Sequence, residues 1–267
     1  MEFADFITEV LKNASEIARK NFGKTSSFST KAGDNNQVLT QTDLEIGKLI
    51  VTKIQQAFPA HSIIDEEAGV IDNNSEFVWV VDPIDGTSNF ANGIPLYGTM
   101  FGLLKHDMPI VGGVSLPSLH EIYVAEKGNG AFCNGEKIAA TTETDLLKTL
   151  VAYGIDGHQE NPQLTYDEVK TLSEIILNVR NLRSSNSVFD LMQVARGRYG
   201  AVLNRTSKIW DNVAPQIILE ESGCVYTDFF GQPIDYKNST KRADDNFTFC
   251  VAPSFLQKRL QEIIHGN

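Results

Sequence analysis

The segment Phe77-Val78-Trp79-Val80-Val81 is an unbroken apolar run that passes directly into Asp82-Pro83-Ile84-Asp85-Gly86-Thr87. Such a run reads as a strand buried on both faces. Pro83 interrupts the ladder and Gly86 permits a tight turn. The strand therefore delivers Asp82, Asp85, the Thr87 hydroxyl and the Ile84 carbonyl to one place. Two carboxylates that close do not both ionise comfortably without a cation between them. The same string is also ordinary turn composition, and a second acidic pair decides between the readings. Glu66-Glu67 stands 16 residues before Asp82, after the apolar Ser62-Ile63-Ile64. Four acids at one sheet edge repel one another unless a metal removes the conflict. Carboxylates with a main-chain carbonyl suit Mg²⁺ or Mn²⁺ rather than zinc. Trp210-Asp211 adds an acid where a helix is predicted to begin, a position that on its own is only a cap.

Around this edge the hydrophobic pattern predicts alternating element types. Phe3 to Asn21 repeats apolar residues with helical spacing and stops at Gly23. A second helix is predicted from Thr42, capped by Glu45 and closed by Pro59. Strands are predicted at Thr99–Leu104, Ile110–Leu116 and Glu121–Ala125 as an antiparallel meander. Gly128-Asn129-Gly130 and Asn134-Gly135 mark further tight turns. Beyond residue 145 helices are predicted at Thr165–Leu177, Ser187–Arg196, Asp211–Ser222 and Ser254–Ile264. Strands are predicted there at Val179–Arg183, Ala201–Asn204, Cys224–Tyr226 and Phe247–Val251. No linker separates the halves. The expectation is one domain over 1–267, with two closely packed subdomains of approximately 1–145 and 146–267.

Charge and composition exclude several classes. The 267 residues carry 23 Lys plus Arg against 34 Asp plus Glu, a net charge of −11, which argues against a nucleic-acid binder. No stretch approaches the ~18 consecutive apolar residues of a membrane span. The acidic start at Glu2 and Asp5 lacks the pattern of a secretory leader. Three scattered cysteines form neither a disulfide framework nor a thiolate cage. The expectation is a cytoplasmic protein without membrane association. Neither a Gly-x-Ser-x-Gly elbow nor a Walker loop occurs.

The string Trp79-Val80-Val81-Asp82-Pro83-Ile84-Asp85-Gly86-Thr87-Ser88-Asn89-Phe90 resembles the first signature of the inositol monophosphatase family, Mg²⁺-dependent and lithium-sensitive phosphatases. Glu66-Glu67, Thr42-Asp43, the hairpin Gly128-Asn129-Gly130-Ala131 and Trp210-Asp211 match further family positions in order. The resemblance implies an α+β fold, a layered α-β-α-β-α sandwich of the inositol monophosphatase / fructose-1,6-bisphosphatase type. It also implies hydrolysis of a small phosphate ester by metal-activated water, and a homodimer. By the same resemblance Glu66, Asp82 and the Ile84 carbonyl hold a first Mg²⁺, and Asp82, Asp85 and Asp211 a second. A third sits near Glu66. Thr87 and Asp43, with Glu66, activate the attacking water. Gly86, Thr87, Asp85, Ser187, Asn204, Lys208 and Asp211 meet the phosphate or substrate, while Glu67 and Lys31 support from behind.

The chain departs from the family between its signatures. Asn186 stands where a glycine is usual, Val188 where alanine is usual, and Asn204 where a glutamate precedes the late Asp by seven residues. Asn186 and Val188 are expected to narrow the pocket or alter its backbone donors. Arg205 and Lys208 add two cations that could hold a second anionic group, favouring a bisphosphate or nucleotide. Pro215 is expected in the first turn of a helix beginning near Asp211. Rival readings are a histidinol phosphatase, a fructose-1,6-bisphosphatase, a 3′-phosphonucleotide phosphatase, or a non-catalytic regulatory binding protein of this fold.

Overall fold

The computed structural model describes residues 2–24, 29–30 and 38–266. Helix α1 spans Phe3–Asn21, followed by a short ribbon of β1 (Ser29–Thr30) and β2 (Val38–Leu39), then α2 (Gln41–Ala57). Next come β3 (Ser62–Asp65), β4 (Gly69–Ile71), the long β5 (Phe77–Asp85) and the short α3 (Thr87–Ala91). The meander continues as β6 (Gly98–Lys105), β7 (Met108–Leu116), β8 (Glu121–Glu126), β9 (Gly130–Cys133) and β10 (Glu136–Ile138). The second half holds β11 (Leu150–Gly154), α4 (Pro162–Leu177), β12 (Asn181–Arg183), α5 (Val188–Ala195) and β13 (Ala201–Asn204). It ends with α6 (Ile209–Glu221), β14 (Val225–Thr227), β15 (Phe249–Ala252) and α7 (Ser254–His265).

Two sheets and three helical layers alternate. The eight-stranded sheet runs β10-β9-β8-β7-β6-β5-β3-β4, and the five-stranded sheet runs β12-β11-β13-β15-β14. Helices α1 and α2 cover one face of the first sheet, α5 and α6 fill the space between the sheets, and α4 and α7 cover the second sheet. This is the expected α-β-α-β-α sandwich. Each interface has its own core. Ile7, Leu11 and Ile50 pack on Trp79 and Phe101 in the first. Met192, Ile217 and Ile218 pack on Val114 and Val202 in the middle. Tyr153, Leu203 and Leu256 meet in the third. Each fully buried Ile or Leu contributes roughly 1.5–3 kcal/mol relative to exposure.

Adjacent glycines on β7 set how closely the layers approach. A Cβ on Gly112 would lie 2.7–2.8 Å from Ala214 of α6, and one on Gly113 would lie 2.3 Å from Ile7 of α1. Neighbouring strand residues face opposite sides, so the two glycines admit one helix on each face. The approach of α6 brings Asp211 to the sheet edge.

Several elements differ from the sequence reading. Helix α2 begins before Thr42, and its capping pair is Thr40 and Asp43 rather than Thr42 and Glu45. Thr40 is the extended N-cap, its backbone N–H donates to Asp43 Oδ2 (3.0 Å), and Thr42 N donates to Thr40 Oγ1 (3.2 Å). A short aspartate reaches back from the third helical position, so one carboxylate both caps the helix and faces the site. Strand β11 was not predicted, although it lies between β12 and β13 and pairs parallel with both. Four of its five residues are buried in succession, so no alternation betrays it. Pro215 sits inside α6 rather than in its first turn, because the helix already begins at Ile209.

Candidate active site

The acidic edge is assembled by an irregularity in β5. Asp82 pairs with Met100 and Asp85 with Gly98, so three steps on β5 oppose two on β6. In a regular strand residues three apart point to opposite faces. The bulge brings Asp82 and Asp85 to the same side. Pro83, which has no N–H to give, occupies the bulge, and Thr99 Oγ1 donates to its carbonyl (2.7 Å). The chain then turns through Gly86 in the left-handed region (φ 79°) into α3. A side chain on Gly86 would also lie 2.7 Å from Ser187 Cβ, so the two halves meet at this glycine.

One carboxylate oxygen from each of Asp82, Asp85 and Asp211 lies within 4.8 Å of the other two. Asp82 is buried, and its Oδ1 has no hydrogen-bond partner among the described residues. Burial pushes the Asp82 carboxyl well above the usual range, and the charges of Glu66, Asp85 and Asp211 push it further. Burial and Asp211 raise Asp85 likewise, against the opposing pull of the Val188 N–H that donates to it. An orphaned buried oxygen within an all-oxygen acidic cluster fits a hard divalent cation. Glu66 follows β3 and faces both this cluster and the adjoining cleft. The turn that carries it is fixed by Asp65, whose Oδ1 accepts from Glu67 N (2.9 Å) and Ala68 N (2.6 Å).

Asp43 and Thr87 meet beside this cluster. Thr87 Oγ1 lies 2.7 Å from the Ile84 carbonyl and 3.1 Å from Asp43 Oδ1, and it donates its single proton to these acceptors. Thr40 holds Asp43 Oδ2 through its amide and its hydroxyl, which leaves Oδ1 for Thr87. Burial pushes the Asp43 carboxyl up to about 6, against the lowering effect of the bonds from Thr40 and Thr87. The charge of Glu67 adds to the rise.

A cleft of about 540 Å³ opens from the acidic edge, with Glu66, Asp85 and Asp211 at one end. Ser187, Asn204 and Lys208 line it. The Lys208 ammonium donates to the Asp244 carbonyl. Arg205 does not line the cleft; its guanidinium lies 5.3 Å from the ring centre of Phe229 and 5.5 Å from that of Phe230. Arg205 is thus engaged away from the cleft, whereas Lys208 lines it with donors beyond the one given to the Asp244 carbonyl. Val188 lines the cleft, and its Cγ1 packs where Gly98 lacks a Cβ. Asn186 takes the left-handed conformation (φ 49°) that a glycine would. Lys31 lies outside the described residues.

Two contributors went unremarked in the sequence. Asn89 donates its amide to the Leu96 carbonyl (2.7 Å) and to the Ser185 carbonyl (2.8 Å), tying α3 to the second half. Buried Asp190 accepts from Ser185 N (2.7 Å). Asn89 stands within the quoted signature string, whereas nothing local marks Asp190.

A five-layer fold with an all-oxygen acidic edge opening on a polar cleft is an arrangement that fits metal-assisted hydrolysis. The sequence profile of the inositol monophosphatase family matches residues 1–265. Inositol monophosphatase 2 of Solanum lycopersicum is 34% identical over 241 residues, covering 88% of this chain and 90% of that one. The fructose-1,6-bisphosphatase/inositol-1-monophosphatase of Aquifex aeolicus is 29% identical over 245 residues, 91% of this chain and 92% of that one. Among solved structures, an IMPase of Thermotoga maritima superposes with a TM-score of 0.86 at 25% identity, covering 100% and 98% of the two chains. An IMPase/NADP phosphatase complexed with Mg²⁺ and phosphate gives 0.83 at 22% identity, covering 98% and 95%. This chain belongs to the inositol monophosphatase family, and it is a phosphatase.

Proposed function

We propose that this phosphatase hydrolyses monoesters of small polyols or sugars, and that the convergence of Asp82, Asp85 and Asp211 within 4.8 Å carries that reading. Glu66, Asp82 and the Ile84 carbonyl are assigned to one Mg²⁺. Asp82, Asp85 and Asp211 are assigned to a second, with a third near Glu66. When bound, these ions activate water, neutralise the phosphate and stabilise the leaving oxygen. Thr87 orients the attacking water, and Asp43 Oδ1 takes up its proton through the Thr87 hydroxyl, 3.1 Å away. A carboxyl raised to about 6 accepts a proton near neutral pH better than an ordinary aspartate does. Gly86 and Thr87 offer backbone N–H groups to phosphate oxygens. Ser187, Asn204 and Lys208 face the rest of the ester, with Glu67 behind Asp43. Lys31 is kept as a supporting residue on the family resemblance alone.

The same reading includes one domain with two packed subdomains, a homodimer, Mn²⁺ as a substitute metal, inhibition by lithium and a cytoplasmic setting. No helix among the described residues is long and apolar enough to cross a membrane. The test is phosphate release from a panel of esters with Mg²⁺, with Mn²⁺, with added lithium and after chelation, alongside size-exclusion chromatography. Activity that depends on the divalent ion is expected. Equal activity after chelation would overturn the mechanism.

A further inference from the structure

Asp211 differs from the other two members of the acidic edge, because it arrives on a helix rather than on β5. Lys208 is the extended N-cap of α6, and its amide donates to Asp211 Oδ2 (2.6 Å). A carboxylate that caps in this way is held by the first turn, so its place depends on what fixes that turn. The charges of Asp82 and Asp85 press against it, since one oxygen of each of the three lies within 4.8 Å of the others.

The next residue, Asn212, is fully buried and anchors the turn. Its Nδ2 lies 2.6 Å from the Lys208 carbonyl, 2.9 Å from the Phe247 carbonyl and 3.1 Å from Ser207 Oγ. Its Oδ1 accepts from the hydroxyl of buried Tyr226 on β14 (3.0 Å). Ser207 and Phe247 are themselves joined. The Phe247 amide donates to the Ser207 carbonyl (2.8 Å), and the Ser207 hydroxyl donates to the Phe247 carbonyl. Ile209 and Val213 on the same helix, with Phe247, belong to one apolar cluster. A buried amide costs free energy in such a place unless both of its ends are paired, and here both are. The bonds run in one direction, from the Tyr226 hydroxyl to Asn212, from the Asn212 amide to the Lys208 carbonyl, and from the Lys208 amide to Asp211. They join the five-stranded sheet to a carboxylate that stands at the edge of the eight-stranded one.

A matched arrangement lies one turn further along α6. The Tyr236 hydroxyl donates to Gln216 Oε1 (2.7 Å), and Gln216 Nε2 donates to Glu220 Oε1 (2.8 Å). Both tyrosines are buried, and each ring packs on a phenylalanine, Tyr226 on Phe249 at 5.9 Å and Tyr236 on Phe247 at 5.8 Å between centres. The chemistry is the same, but this second line leads away from Asp211.

We propose that Asn212 and Tyr226 are positioning residues for Asp211. They hold the first turn of α6 against the repulsion of the edge and so preorganise its third carboxylate for the metal. This rests on the metal assignment above.

The test is calorimetric titration with Mg²⁺ of the chelator-treated full chain and of Tyr226→Phe, Tyr236→Phe and Asn212→Leu. Chemical denaturation in chelator is measured on the same proteins. Each tyrosine variant removes one hydroxyl and keeps the ring, so the two should lose stability to a similar extent. Tyr226→Phe should weaken Mg²⁺ binding several-fold and Asn212→Leu by ~10-fold or more, whereas Tyr236→Phe should keep the wild-type affinity. The two tyrosine variants decide the matter even if Asn212→Leu does not fold. Equal loss of affinity in both, or lost stability in Tyr226→Phe at wild-type affinity, overturns the proposal and leaves the metal assignment standing. A wild type without saturable Mg²⁺ binding overturns the metal assignment and the proposal with it.

Discussion

The two ends of the cleft are built by different means. At the β5 edge, carboxylates converge because the backbone forces them to. A bulge realigns Asp82 with Asp85, and Gly112 of β7 lets α6 carry Asp211 inward. At the Ser184–Val188 corner nothing in the sheet dictates the geometry. Side-chain amides and carboxylates of Asn89, Asn186 and Asp190 hold a loop in place. The first arrangement stores electrostatic repulsion until a cation arrives, whereas the second is satisfied as it stands. The edge is set by the backbone, whereas at the corner one substitution alters a wall without unmaking a sheet.

That contrast can be broken in several places. Asp85→Asn should have the largest effect. We expect at least ~100-fold loss of Mg²⁺-dependent phosphate release, above the usual cost of losing only an outer-shell partner. Yet the metal-free variant should melt at a higher temperature than the metal-free wild type, because one repelling charge has gone. A lower melting temperature in chelator would contradict the stored repulsion. Asp43→Asn should reduce kcat by about 10²–10⁴-fold while Mg²⁺ affinity, read by calorimetry, stays near that of the wild type. A proportionate loss of Mg²⁺ affinity would move Asp43 from proton acceptor to metal support.

Gly112→Ala is the backbone counterpart. Its new Cβ meets the Ala214 backbone at 2.7–2.8 Å, so α6 must shift, at a cost of about 1–3 kcal/mol in chemical denaturation. Mg²⁺ affinity should fall with it, since Asp211 rides on α6. Stability lost without any change in affinity would uncouple the helix from the site.

The smallest effect is a pH dependence. Asp82 and Asp85 hold protons more tightly in the folded chain than in the unfolded one. Without metal, the unfolded chain releases its protons first as pH rises above the ordinary carboxylate range. Stability from these groups therefore falls with rising pH until the raised folded values are passed. Asp43 contributes in the same sense between its ordinary value of 3.8 and about 6. Mg²⁺ displaces the protons of Asp82 and Asp85, so the rise in melting temperature it gives should grow as the pH is raised above the ordinary carboxylate range. A rise that shrinks instead would reverse the assigned direction.

The sequence showed most of the edge and little of the corner, for physical reasons. Asp82, Asp85 and Glu66 follow apolar runs whose burial the pattern reveals, and their turn residues are local. The first helix was legible to the residue because its periodicity is strong over five turns. Asp43 was picked out, but its helix start was displaced, since Thr40 and Thr42 both present the hydroxyl that a cap requires. β11 escaped because a strand buried on both faces carries no alternation. The bond between Asn186 and Asp156 joins residues 30 apart, which no local pattern encodes. Arg205 shows a different limit, because a cation's sequence position does not reveal the aromatic rings that lie against it.

The central claim is that the fold crowds carboxylates at one edge, which raises their affinity for protons, and that a divalent ion competes with protons there. Calorimetric titration of the chelator-treated protein with Mg²⁺ at about pH 6, in two buffers of different ionisation heat, tests it most directly. We predict saturable binding with net proton release, and loss of that release in Asp85→Asn. Binding that releases no protons, or an equal release from the variant, would contradict the account.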